Sequence, residues 1–291
     1  MQSSTYVLIT AARNEERHIR NTLQSVVDQT RLPKKWVIVS DGSTDLTDQY
    51  VRDFASRYSF IHLLRLDDAR ERSYSNKLVA LNAAYAELNH TECDYVGVLD
   101  ADISFPPNYY EELITRFHNQ PRLGIAGGVI VEDRGRGWQT RYGESGSEVA
   151  GAIQFFRRTC YEDIGGYMSL KCGGYDAIAI TVARQKGWQV RTFMHLRACH
   201  HRRTGTAGVS ESRAKFRQGA QDYFLGYHPV FELGKCFRRI FEPPYGIGSL
   251  LRLCGYLWPR IKGERPVVPA DFLRNLRHQQ MRRLLLTQLR R

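Results

Sequence analysis

Five short apolar runs, spread over the first 131 residues, set the limits on what this chain can fold into. They occupy residues 6–11 (YVLITA), 36–40 (WVIVS), 61–66 (IHLLRL), 95–99 (YVGVL) and 125–131. Each is one strand long and rich in β-branched residues. The stretches between them, near 15–28, 45–58, 75–88 and 108–119, carry helical patterning. Buried strands alternating with helices of this length predict βαβ units: an α/β, Rossmann-like, mostly parallel sheet with helices on both faces. Such sheets bind ligands beyond the carboxyl ends of their strands. The residues just after each run are therefore the candidates for function.

Past about Gly151 the pattern changes. A strand-like AGAIQFF is followed by paired glycines, a helix near 176–186, a strand at 188–194 and the basic stretch His200-His201-Arg202-Arg203. From about residue 204 Arg, aromatic and Leu residues interleave, and 272–291 reads as a basic amphipathic helix. The expected division is one α/β domain at 1–203, in two halves (1–102 and 103–203). A helical, basic-aromatic region at 204–291 follows.

Three of the strand ends carry polar, mostly acidic groups: Ala12-Arg13-Asn14-Glu15, Asp41-Gly42-Ser43-Thr44-Asp45 and Asp100-Ala101-Asp102. Side chains two apart on an extended chain point the same way, so Asp100 and Asp102 can face one hard cation such as Mg²⁺ or Mn²⁺. With 15 Asp in 291 residues, about one Asp-x-Asp pair arises by chance, so position rather than spacing gives this pair its meaning. Ser43, Thr44 and Asp45 are ordinary turn and helix-cap residues. Asp41 precedes the turn, at the mouth of the sheet, where a carboxylate can accept from a base N–H or a ribose hydroxyl. Asp176 has two readings: a helix cap, or a general base for a hydroxyl nucleophile. Gly127-Gly128 and the stretch 134–147 read as shaping a ligand pocket or a loop over it.

Taken together, these segments resemble glycosyltransferase family 2, over roughly residues 5–203. TAARNEERHIRNTLQSVVDQT is similar to the family's A-x-N-E-E opening, VIVSDGSTDLT to its D-D-G-S-x-D segment, and NKLVALNAAY to its G-K-x-x-A-L-N helix. VGVLDADISFPP resembles the L-D-A-D strand, and IGGYMSLKCGGYDAIAITVARQKGWQV the acceptor-side segment. Each motif alone is modest; five in the right order are specific. The resemblance implies a GT-A fold and an inverting transferase that moves one sugar from a nucleotide diphosphate sugar (UDP-, GDP- or dTDP-linked) to an acceptor hydroxyl, with Mn²⁺ or Mg²⁺. By matched position it implies that Asp41, Ala12 and Glu15 line the nucleoside pocket and that Asp100 lies near ribose and metal. It assigns Asp102 as metal ligand and Asp176 as base. It makes 1–203 the catalytic domain, with a nucleotide-binding half (1–102) and an acceptor-side half (103–203), and matches His201 with Arg202 or Arg203 to polar residues that reach the metal or the diphosphate. Lys77 is placed at the donor site, and Arg202, Arg203 or Arg70 could add cationic support to the diphosphate. Two positions depart from the family pattern: Ser40 stands where an Asp is usual, and Tyr175 where a Glu precedes the catalytic Asp. The Gln-x-x-Arg-Trp signature of processive synthases is absent, which favours single addition, as in exopolysaccharide or surface-glycan synthesis.

Composition is ordinary for a globular protein, with 42% hydrophobic and 25% charged residues, and excludes disordered, collagen-like and disulfide-scaffold classes. Six cysteines without a CxxC pair fit a reducing cytoplasm. No basic segment precedes the first apolar run, so no signal peptide is expected, and no apolar run is long enough to span a bilayer. The net charge of +12 is concentrated after residue 204. It suggests an anionic membrane surface as partner, a lipid-linked or glycan acceptor, and a peripheral location on the cytoplasmic face of the inner membrane. The competing reading is a basic nucleic-acid- or membrane-binding module on a non-catalytic nucleotide-binding fold. Absence of helix-turn-helix, RRM and KH patterns argues against nucleic acid.

Overall fold

The computed structural model describes residues 4–66, 74–88, 91–133, 135, 137–140, 146, 148–168, 173–202, 210–241, 244–266, 268 and 270–288. The chain divides into two compact units: Met1–Ser169 with Tyr175–Arg202, and Leu170–Gly174 with Arg203–Arg291.

The first unit opens with β1 (Tyr6–Ala12), α1 (Ile19–Val27), β2 (Lys35–Asp41), α2 (Thr47–Ala55), β3 (Ile61–Leu66), α3 (Tyr74–Ala86) and β4 (Tyr95–Val98). It continues through β5 (Ile103–Ser104), α4 (Tyr109–Asn119), β6 (Leu123–Asp133) and β7 (Trp138–Thr140) to a 3₁₀ turn at Gly151–Ile153. Then come β8 (Phe155–Arg157), α5 (Arg158–Asp163), α6 (Tyr175–Gln185) and β9 (Gln189–His200). The strands form one sheet in the order β3-β2-β1-β4-β8-β6-β9-β5, with β7 paired to β6. The β3-β2-β1-β4 half is parallel. Beyond it β8 runs antiparallel to both its neighbours, so the sheet as a whole is mixed.

Both faces of the parallel half are covered, which is why its strands are continuous apolar runs. Tyr6, Leu8, Trp36 and Ile38 pack with α1, α2 and α4 on one side. Val7, Ile9, Val37 and Val39 pack with α3, α5 and α6 on the other. The two sets are alternate residues of the same strands, as the pleat requires.

AGAIQFF is not one strand. Its first residues form the 3₁₀ turn and only the last few pair in the sheet. The tandem glycines have packing roles. A Cβ at Gly127 would lie 2.9 Å from the Ile153 carbonyl oxygen, and one at Gly128 would collide with that of Leu196, where β9 bulges.

The second unit contains α7 (Glu211–Phe224), α8 (Pro229–Arg238), α9 (Ile247–Ile261) and α10 (Ala270–Gln288). Helices α7 and α9 meet backbone to backbone. A Cβ at Gly219 would run into the Arg252 carbonyl oxygen and one at Gly255 into that of Phe216. Beneath this crossing lies a buried charge network. Arg252 donates to Asp222 and, at 2.9 Å, to Glu232, while Lys235 lies 3.0 Å from Asp222. Burial and the neighbouring Asp222 push the Glu232 carboxyl up. At Asp222 burial works upward too, but Lys235 and Arg252 outweigh it and hold that carboxyl down.

Candidate active site

The loops after β1 and β2 are laced together. Asn14 adopts a left-handed φ of 53°, a conformation Asn tolerates better than most residues. This turn aims consecutive backbone N–H groups at the other loop: Asn14 to Ser43 Oγ (3.2 Å), Glu15 to Thr47 Oγ1 (2.7 Å) and Glu16 to Asp45 Oδ2 (3.0 Å). In return Thr44 N–H donates to Asn14 Oδ1 at 2.8 Å and Leu46 N–H to Glu16 Oε2 at 3.2 Å. Ser43 and Asp45 thus do more than make a turn: they fix the neighbouring loop. Asp41 is buried at the end of β2 and pairs with Arg13 Nη1 at 3.3 Å. Ala12, also buried, sits beside Ser40 in the parallel register.

At the end of β4 the chain leaves extended geometry, and Ala101–Asp102 form a turn. The same-side argument for Asp100 and Asp102 therefore does not apply, and the two carboxylates take different partners. Asp100 accepts from Lys77 Nζ, on α3, at 2.6 Å. Asp102 is 2% exposed. It takes His200 Nε2 at 3.3 Å on one oxygen and Arg202 Nη2 at 2.7 Å on the other. Burial works to raise the Asp102 pKa, but the His200 hydrogen bond and the charges of His200, Arg202 and Lys77 prevail, so its carboxyl is held well below the usual carboxylate range. At Lys77 burial works downward, and Asp100 more than offsets it, so the ammonium is held above its ordinary value. Arg202 also donates to Glu15 Oε1 at 2.7 Å, closing a Glu15–Arg202–Asp102 bridge between residues far apart in sequence.

The third part of the site is carried by the 3₁₀ turn. Asp100 N–H donates to the Ala152 carbonyl at 2.9 Å. A Cβ on the adjacent Gly151 would lie 2.5 Å from Asp176 Oδ2. The Asp176 carboxylate therefore rests on the bare Cα of Gly151, in the first turn of α6. Gln154 holds this arrangement: its Nε2 donates to the carbonyls of Val149 (3.2 Å) and Asp176 (3.3 Å), and its Oε1 accepts from Tyr167 OH at 2.6 Å. Tyr175 is buried against the Tyr167 ring, with centroids 4.8 Å apart. Burial, Asp100 and Asp176 push its phenol up, and a hydrogen bond with Lys77 pulls against them.

Of the residues singled out from sequence, Ala12, Glu15, Asp41, Lys77, Asp100, Asp102 and Arg202 cluster at the carboxyl ends of β1, β2 and β4, and Asp176 meets the same 3₁₀ turn that Asp100 does. His201 points elsewhere. Its Nε2 bonds Ser104 Oγ at 2.8 Å and its ring stacks on His18. Only its backbone N–H touches Asp102, at the carbonyl. Arg70 and Arg203 lie outside the described residues. The side chain that does reach Asp102 is His200, with Glu132 3.9 Å behind it. Strand parity carried that signal, because His200 is the last residue of β9 and pairs with Ile103. Arg13, Gln154 and Tyr167 had no local sequence signal.

No three His, Cys, Asp or Glu side chains among the described residues are close enough to enclose an ion. The donors present are carboxylate oxygens. They suit Mg²⁺ or Mn²⁺, which keep much of their shell as water and substrate phosphate rather than a full protein cage.

Comparison with known proteins gives a consistent picture. Residues 7–175 match the model of glycosyl transferase family 2. A Staphylococcus aureus 4,4'-diaponeurosporenoate glycosyltransferase (strain bovine RF122 / ET3-1) is 29% identical over 119 residues, covering 40% of this chain and 29% of the relative. The chain thus matches under a third of that relative's length. Among solved structures, the mannosyltransferase PcManGT from Pyrobaculum calidifontis, in complex with GDP-Man and Mn²⁺, superposes with a TM-score of 0.57. Its identity is 18% over 93% of this chain and 72% of that one. S. aureus TarS with UDP-GlcNAc gives 0.55 at 15% identity, over 94% and 78%. At these identities the structures establish a shared GT-A fold.

Proposed function

The chain belongs to glycosyl transferase family 2, and from that premise we propose that it transfers a single sugar, with inversion, from a nucleotide diphosphate sugar to an acceptor hydroxyl. The observation that carries this reading is that Asp100, through its backbone N–H, and Asp176, through its carboxylate, both meet the Gly151–Ile153 turn. An inverting displacement needs a proton acceptor on one side of the sugar and charge stabilisation for the leaving diphosphate on the other. In this reading Asp41, Ala12 and Glu15 line the nucleoside side. Asp176 accepts the acceptor hydroxyl's proton as the oxygen bonds the anomeric carbon and the nucleotide diphosphate departs. Arg202 and Arg203 supply forked donors to the diphosphate, and Lys77 keeps Asp100 in place. Asp102 and Asp100 would hold a divalent ion, which when bound supplies a Lewis acid for the leaving group. The mannosyltransferase neighbour's GDP-Man and Mn²⁺ and TarS's UDP-GlcNAc support that class of donor and ion without choosing among UDP, GDP and dTDP sugars.

The basic C-terminal region supports the remainder of the reading: a glycan or lipid-linked acceptor met at the cytoplasmic face of the inner membrane, in polysaccharide or surface-glycan synthesis. Among the described residues no helix is long and apolar enough to cross a membrane.

The test is thermal stability against UDP, GDP and dTDP sugars with and without Mn²⁺. A bound donor at 100 times its Kd stabilises by about 2.7 kcal/mol. The expected result is a melting shift with one donor class that needs the metal and is lost in Asp102→Ala. No shift with any donor overturns the reading in favour of a non-catalytic module.

A further inference from the structure

Helices α8 and α9 are inside out. A surface helix of a water-soluble protein turns its apolar stripe inward. Here the inward faces carry Glu232 and Cys236 on α8, and Gly248, Arg252, Gly255 and Tyr256 on α9. The apolar stripes face outward. On α8 they are Val230, Leu233 and Phe237, three and four residues apart; on α9 they are Ile247, Leu250, Leu257 and Ile261, with Trp258 alongside. Phe237, Phe241 and Ile261 are 73%, 75% and 76% exposed. In the first unit the exposed large apolar residues, such as Leu32, Leu46 and Met194, are scattered singly along the chain. A concentrated outward stripe of this kind marks an interaction surface.

Charge identifies what covers it. Residues 229–263 hold six cations, Lys235, Arg238, Arg239, Arg252, Arg260 and Lys262, against Glu232 and Glu242, and Glu232 is fully buried. Arg238, Arg260 and Lys262 are exposed, and Lys262 Nζ lies 5.2 Å from the Trp258 ring. The covering partner must accept apolar side chains and supply negative charge in one plane. An anionic bilayer does both: apolar side chains enter the acyl boundary, Trp and Tyr sit at headgroup level, and Arg and Lys meet the phosphates. Helix α10, the basic amphipathic tail in the sequence, has no such face to offer from its described apolar residues. Phe272 and Leu276 are buried, and Gln280 accepts from His228 N–H at 2.8 Å.

We propose that the outward face of α8 and α9, with Phe241 and Tyr245 between them, is the docking surface for an anionic lipid bilayer, both helices lying in the plane of the interface. This deepens the membrane part of the reading above by naming the face. Its test uses no sugar donor, so either idea can fail while the other stands. The full chain is sedimented with phosphatidylcholine vesicles with and without phosphatidylglycerol. The wild type binds only the anionic vesicles. The triple variant Phe237→Ser, Phe241→Ser, Ile261→Ser binds them about a hundredfold more weakly, with an unchanged circular dichroism spectrum. Should that variant misfold, Arg238→Glu with Lys262→Glu serves instead, binding about tenfold more weakly and with less salt dependence. Folded variants that bind as tightly as the wild type overturn the proposal. So does a wild type that ignores vesicles and elutes as a dimer which the triple variant converts to monomer, because the face would then join two copies of the chain.

Discussion

The two units solve the burial of charge in opposite ways. In the sheet unit the apolar groups fill two cores and the charges gather at one rim, each carboxylate with its own cation: Asp41 with Arg13, Asp100 with Lys77, Asp102 with His200 and Arg202. In the helical unit a charge network is buried at the centre, while α8 and α9 leave large apolar side chains exposed. Charge at a rim is available to a ligand. Charge at a centre is closed to solvent, and here it ties α7, α8 and α9 together through Asp222, Glu232, Lys235 and Arg252.

If that contrast is right, the largest effect belongs to the rim. Asp176→Asn is expected to lower kcat by about 10²–10⁴-fold while donor-induced thermal stabilisation survives; full turnover would remove Asp176 from the chemistry. Next comes the centre. Arg252→Met leaves Asp222 and Glu232 short of their shared cation, and breaking a buried pair this way costs about 3–5 kcal/mol. Urea unfolding of the variant measures the loss, and a loss within error of zero would mean the network adds nothing. Gly255→Ala, which forces α9 off the Phe216 carbonyl, should cost about 1–3 kcal/mol in the same assay.

The smallest effects are in pH, and they have opposite signs in the two units. Asp102 is held low, so its contribution to stability is complete above the ordinary carboxylate range and is lost as pH falls through it. Glu232 is held high, so its contribution is present below its unfolded value and declines as pH rises. Asp102→Asn should therefore flatten the acid limb of a stability–pH curve. Glu232→Gln should gain on the wild type as pH rises. Two curves bending the same way would break the comparison.

How much of this was legible in the sequence follows the same division. The parallel strands announced themselves because both their faces are buried, and the acidic strand ends followed from sheet geometry. The short strands β5 and β7 did not, since two or three residues carry no period, and β8 was legible only as the end of the longer strand-like AGAIQFF. Arg202 could be listed as a phosphate ligand, but its bridge joins Glu15 to Asp102 across most of the chain, and pattern alone cannot pair them. The side chain of His200, not that of His201, meets Asp102 because β9 runs on to residue 200, past the strand expected at 188–194. In the helical unit the stripe of α9 was readable, whereas its direction was not. A period of 3.6 residues fixes which side chains share a face and is silent on whether that face turns inward. The inversion is decided by Arg252, Gly255 and their partners on other helices.

The lacing of the loops after β1 and β2 has a consequence for how this protein can vary. Segments some thirty residues apart are joined by at least five hydrogen bonds, each from a backbone N–H of one loop to a side chain of the other. Replacing Asn14 would strand Thr44 N–H, and replacing Thr47 would strand the amide of Glu15. Residues in one such network do not respond additively. The two loops therefore form one heritable unit: a change in either is judged against the state of the other, and new geometries of the pair would have to arise by paired steps.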